Sequence, residues 1–170
     1  YLPLWTMENN RLPITVESGF FREEECWLLD EYRQYISRFG WLWRSLPFVE
    51  AIYLCNSITF NALKQGSDID LLIVIRPGYI WITRLMSWLF MIILWIKNWS
   101  TSPEDPTSKA KKFCLSFYVD QQHQNLYQLA VKPQDPYLVY WLLHLVPLYY
   151  YNSTSDYPDM YQENAWIKNY

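Results

Sequence analysis

Hydrophobic and polar positions along the chain fall into blocks of two periods. Acids Glu23, Glu24 and Glu25 open a stretch in which Leu28, Tyr32, Tyr35, Ile36 and Phe39 recur at helical spacing. With Arg33 and Arg38 toward its end, the pattern predicts a helix over 23–39, stopped at Gly40. Short apolar, β-prone runs predict strands over 48–55, 68–75 and 113–119, the second ended by Arg76-Pro77-Gly78. Between the first two, 58–64 reads as helical, followed by a Gln65-Gly66-Ser67 turn. A long apolar helix is expected over 80–96, a mobile loop over 100–112, a helix over 136–146 stopped by Pro147, and a last helix over 157–170. Residues 1–20, broken by Pro3 and Pro13, read as irregular.

Strand, helix, strand, helix, strand predicts an α/β (α+β) class with a small mixed sheet packed with helices. One domain over 1–170 is expected: an N-terminal helical extension (1–45), a core (46–120) and a C-terminal helical segment (121–170). Aromatic residues make up 19% of the chain, with 10 Trp and 15 Tyr. That excess implies a heavily packed core, an aromatic interface for a protein partner, or both. Charged residues are only 18% and the net charge is −3, which excludes holding extended nucleic acid by charge alone but not a phosphate ligand brought with a metal.

Cys26, Cys55 and Cys114 stand at no metal-ligand spacing and read as buried free thiols in a reducing compartment. The chain opens on Tyr1 rather than Met and reads as trimmed or incomplete at its start; with no basic-then-apolar leader in view, a cytoplasmic protein is expected. The 80–96 stretch approaches membrane-span length, but Arg84 would cost roughly 2.5–3.5 kcal/mol at a bilayer position. The helix is therefore read as buried or partner-covered, with membrane attachment as the alternative.

The chemistry sits in Cys55-Asn56-Ser57-Ile58-Thr59 and Gly66-Ser67-Asp68-Ile69-Asp70-Leu71-Leu72. Residues two apart on a strand share a face, so Asp68 and Asp70 are expected to aim together while Ile69 and Leu71 face the other way. Two carboxylates held so suit Mg²⁺ (or Mn²⁺) bridging nucleotide phosphates. Ser57, at the predicted entry from strand to helix, would meet a phosphate through its hydroxyl and nearby backbone N–H groups, or simply cap the helix. Arg84 would reach a phosphate or make an ion pair. Lys109, Lys111 and Lys112 read as a solvated loop run, and His123 and His144 are given no role.

The stretch resembles the nucleotidyltransferase superfamily signature, a Gly-Ser followed about ten residues later by Asp-x-Asp on a strand, with the frequent Ser-Asp-Ile-Asp-Leu-Leu form here at Ser67 to Leu72. It is similar, more narrowly, to prokaryotic nucleotidyltransferase-domain proteins, matched by Ile80-Trp81-Ile82-Thr83-Arg84, Lys112-Phe113-Cys114-Leu115 and Asn164-Ala165-Trp166. The resemblance implies a polymerase-beta-like fold and transfer of a nucleotidyl group from a nucleoside triphosphate to an unknown acceptor. It implies metal at Asp68 and Asp70 and nucleotide or phosphate contacts from Asn56, Ser57, Ser67 and Arg84. The chain departs from the family pattern at Asn56, where the family has Gly, and at Ser116, where active members carry a third carboxylate. Asp120, on the same side as Ser116 by alternation, is the candidate replacement. A catalytically degenerate binding or assembly protein is the rival reading.

Overall fold

A computed structural model describes residues 23–60, 62–64, 67–99, 113–131, 135–151 and 160–169. The expected leading helix forms as α1 (Glu23–Arg38). Tyr32 and Ile36 are buried, with Tyr35 and Phe39 packed beside them; the side chain of Leu28 lies outside the described residues. Gly40 does not stop the chain in coil, because a second short helix, α2 (Gly40–Ser45), begins at that residue. The strands are β1 (Val49–Cys55), β2 (Ile69–Ile75), β3 (Phe113–Asp120) and β4 (Val146–Tyr150). They form one mixed sheet in the order β3-β2-β1-β4, antiparallel except for the parallel pair β2–β3.

β4 was not expected. It begins where the predicted 136–146 helix should still run, because α4 (Pro136–Leu143) ends three residues before Val146. Pro147 lacks an N–H to donate to a ladder, which is tolerable on β4 because it is an edge strand. The predicted 58–64 helix is absent among the described residues; the chain makes a single 3-10 turn, Asn56–Ile58. Among the described residues of the predicted last helix stand α5 (Met160–Glu163) and a 3-10 turn, Ala165–Asn169, while 157–159 and 170 lie outside them. The expected loop at 100–112 and irregular start at 1–20 lie outside the described residues.

Alternation along β1 and β2 divides the core. Ile52, Leu54, Ile69, Leu71, Ile73 and Ile75 face the side of α1, where Tyr35, Phe39 and Phe113 pack ring against ring. Ala51, Tyr53, Cys55, Leu72 and Val74 face the other side, packed by Trp141 and Leu142 of α4 and by Met160 and Ile167. The C-terminal segment is fastened by buried Asn164, which accepts from Leu126 N and donates to the carbonyls of Gln124 and Met160, each at 2.8 Å.

Two bulges break the two-residue period. In β1, Val49 pairs with Ile75 but Ala51 with Val74, leaving Glu50 as an extra residue. Glu50 is buried, and its carboxylate accepts at 2.8 Å from the guanidinium of Arg76 just past β2. That hydrogen bond and the adjacent negative charge hold the Arg76 pKa above its ordinary value. In β3, Cys114 pairs with Asp70 but Phe117 with Leu72, so three steps on β3 match two on β2.

The long helix, α3 (Ile80–Trp99), follows a turn in which Gly78 takes a φ of 82°, a conformation that favours glycine. Among the described residues no helix is long and apolar enough to cross a membrane.

Candidate functional site

Asp70 occupies the second position of a central strand, half-buried, with Cys55 of β1 and Cys114 of β3 as its ladder partners on either side. It shares the α4 face with Leu72 and Val74, as alternation requires. Asp68 stands just ahead of the strand and is exposed. The turn leading to it is tied down on both sides. Ser67 Oγ accepts from Lys64 N at 3.0 Å, and the buried Tyr32 of α1 donates its hydroxyl to Ser67 O at 2.8 Å. Ser67 therefore shapes the approach to Asp68 with both its hydroxyl and its carbonyl.

Asn56 follows β1 with φ of 60°, in the left-handed region that asparagine tolerates better than most residues. Its side-chain oxygen accepts from Trp141 Nε1 at 2.8 Å, and its carbonyl accepts from Thr59 Oγ1 and the Thr59 and Phe60 amides. Both oxygens are thus engaged within the protein. Ser57 is half-buried, and its carbonyl accepts from Ala62 N. With three residues of 3-10 turn in place of a helix, there is no helix dipole at Ser57 to favour an anion. Beyond Asn56, Phe60 lies 5.0 Å from the Tyr140 ring and 5.7 Å from His144, and Phe117 lies 5.4 Å from Trp141. Rings from α4, from His144 just past it, from Phe60 and from Phe117 of β3 therefore stand beside the Asn56 turn.

The Cys55 thiol is buried, and its pKa is raised first by that burial and then by the charges of Asp70 and Cys114. Cys55 is accordingly a protonated, unreactive group at neutral pH. Neither Cys55 nor Cys114 is in a disulfide; Cys55 is buried as expected, whereas Cys114 is only half-buried, and the Cys26 side chain lies outside the described residues.

Two expected site residues are not brought to Asp70. Asp120 pairs with Ile75 while Asp70 pairs with Cys114. Five ladder positions separate them, about 16 Å along the sheet. The β3 bulge also spoils the alternation used to place Asp120: Phe117 and Val119 sit with Leu72 and Val74, and Tyr118 and Asp120 with Ile73 and Ile75 on the opposite face. The Asp120 carboxylate instead accepts from Gln122 N at 2.8 Å and lies 3.6 Å from His123 Nδ1. Arg84 projects from α3 on the α1 side, its guanidinium 5.2 Å from the Tyr118 ring centroid and 5.8 Å from that of Trp81. Among the described residues it makes no ion pair with an acid, and its ring contacts place it on the face of the sheet opposite Asp70. The side chain of Ser116 and Lys109, Lys111 and Lys112 lie outside the described residues.

Among the described residues no three His, Cys, Asp or Glu side chains are grouped to hold an ion. Asp68 and Asp70 alone fit Mg²⁺ only where phosphate oxygens and water supply the remaining ligands, the usual manner of binding for this ion. Sequence reasoning left out Trp141, which secures Asn56, Tyr32, which secures the Ser67 carbonyl, and Cys55 and Cys114 as neighbours of Asp70. Trp141 was hidden in an aromatic run, and only strand register could place the thiols. Compared with protein-family models, curated proteins and solved structures, the chain matches none.

Proposed function

We propose that this chain has the polymerase-beta-like nucleotidyltransferase fold, binds a nucleoside triphosphate with Mg²⁺ (or Mn²⁺) at Asp68 and Asp70, and is catalytically degenerate. The mixed sheet with Asp70 on a central strand supports the fold assignment. The observation that carries the degenerate reading is the pairing of Asp70 with Cys114. A thiol, not a third carboxylate, is the neighbouring-strand partner of the second aspartate. Two carboxylates can accept an ion that arrives on a nucleotide but leave its positive charge less balanced than three would. The retained Ser67-Asp68-Ile69-Asp70 run favours, as the second reading, active transfer to an unknown acceptor.

Calorimetric titration of ATP with and without Mg²⁺ tests the binding, and transfer of label from α-³²P-ATP tests the chemistry. The proposal expects Mg²⁺-dependent binding that falls at least about tenfold in Asp68→Ala/Asp70→Ala, with no label transferred. Cys114→Asp supplies a third carboxylate beside Asp70 and is expected to tighten Mg²⁺-dependent binding by roughly tenfold. Absence of nucleotide binding by the parent would overturn the nucleotide reading, whereas label transfer by the parent would replace it with the active one.

A further inference from the structure

α3 is built inside out. Thr83 and Ser87, its polar residues one turn apart, are 0% and 1% exposed and face the protein. Both are satisfied there: Thr83 Oγ1 donates to Pro47 O at 3.3 Å and Ser87 Oγ to Thr83 O at 2.7 Å. The outward positions are Trp81, Ile82, Leu85, Met86, Trp88 and Leu89, all large, apolar and exposed. At 100° per residue they span an arc of about 160°, with Arg84 on its border. Trp41 of α2, in edge contact with Phe90, extends the patch.

From their fractional exposures these six side chains leave on the order of 700 Å² open, more than the largest apolar patch of a typical monomer. We propose that this face binds a second copy of the same chain, α3 against α3 about a twofold axis. The open area is close to the roughly 800 Å² per partner of a standard stable interface. Its Trp, Met and Leu content is that of a homodimer core, and the inward turn of Thr83 and Ser87 leaves only the indole N–H groups of Trp81 and Trp88 as uncharged polar groups among these positions. An anionic bilayer fits the charge less well: Arg84 is the single basic residue over 80–92, and the chain carries a net charge of −3. A twofold contact needs no opposite charge. Because α3 lies on the α1 side of the sheet, pairing leaves the Asp70 face open.

Leu85 sits near the middle of the patch in both length and arc, and would lie closest to the axis. Sedimentation equilibrium of the parent chain without detergent is expected to give a dimer. Leu85→Gln/Trp88→Gln, both at exposed positions, is expected to weaken association by roughly 100-fold with the far-ultraviolet circular dichroism of the fold unchanged; the melting temperature falls only by what the lost partner contributed. Leu129→Gln, on an exposed residue outside the patch, leaves the dimer intact. Leu85→Cys is expected to cross-link to its own copy on mild oxidation. A monomeric parent would overturn the proposal, as would a dimer unchanged in the double variant. A monomer that floats with phosphatidylcholine vesicles would assign the face to lipid instead.

Discussion

On the α1 side of β2, Ile69, Leu71, Ile73 and Ile75 are all aliphatic and each is 0% exposed, whereas the other side of the same strand reads Asp70, Leu72, Val74. A seven-residue strand thus gives one face wholly to packing and opens the other with a carboxylate. The difference extends to the neighbours. Across from Ile73 lie Ile52 and Tyr118, while across from Asp70 lie two thiols, and the adjoining turn is held by a Trp–Asn hydrogen bond. The first face depends on filled volume, so its energy scales with buried area and cavities. The second depends on a few directional contacts, which carry less stability and more local shape.

The largest expected effect breaks the packed face. Ile73→Ala removes buried methyl groups from the centre of the sheet and is expected to cost about 3–4 kcal/mol, read as a lowered urea midpoint at unchanged slope. A loss under about 1 kcal/mol would mean that this face is not the closely packed one. On the other face, Asn56→Ala removes the Trp141 acceptor and puts an ordinary side chain at positive φ, for an expected loss of about 1–2 kcal/mol. Asn56→Gly loses the same hydrogen bond without the backbone penalty and should retain more stability; equal losses in the two variants would place the whole effect in the Trp141 contact. The smallest effect concerns α4, which supplies Trp141. Backbone N–H groups of Leu138 and Val131 donate to Asp135 and hold its pKa below the ordinary 3.8. Its contribution is therefore complete above pH 3.8 and fades as pH falls through the lower folded value. Asp135 is the N-cap of α4, so thermal melts should show Asp135→Asn less acid-sensitive than the parent in that window, and indistinguishable slopes would mean that its charge does not hold the helix start.

Three strands and two of the longer helices were legible because their signals are local: a β-prone run, or apolar residues at helical spacing. The position of Asp70 on the strand and its side of the sheet followed from counting in twos. Other features depend on contacts distant in sequence. β4 reads as a helix tail followed by a helix breaker until its place at the sheet edge makes Pro147 harmless. The 58–64 helix fails where Asn56 enters the turn at positive φ and Thr59 bonds back to the Asn56 carbonyl. On α3 the long apolar run gave the helix, but nothing local showed that Thr83 and Ser87 would be the buried pair.

The extra residue in β3 also bears on how this strand can change length. Past Cys114 the chain is out of frame with a plain count of two, yet Phe117, Val119 and their partners remain in phase with β2. Losing one residue from the bulge would restore the count and leave every later side chain on its present face. The same loss elsewhere in β3 would turn the remainder of the strand over, unless a new bulge absorbed it. Related chains differing by one residue here would then share a fold while disagreeing in motif spacing, so aligning them by ladder position rather than by residue count is the way to compare what stands beside Asp70.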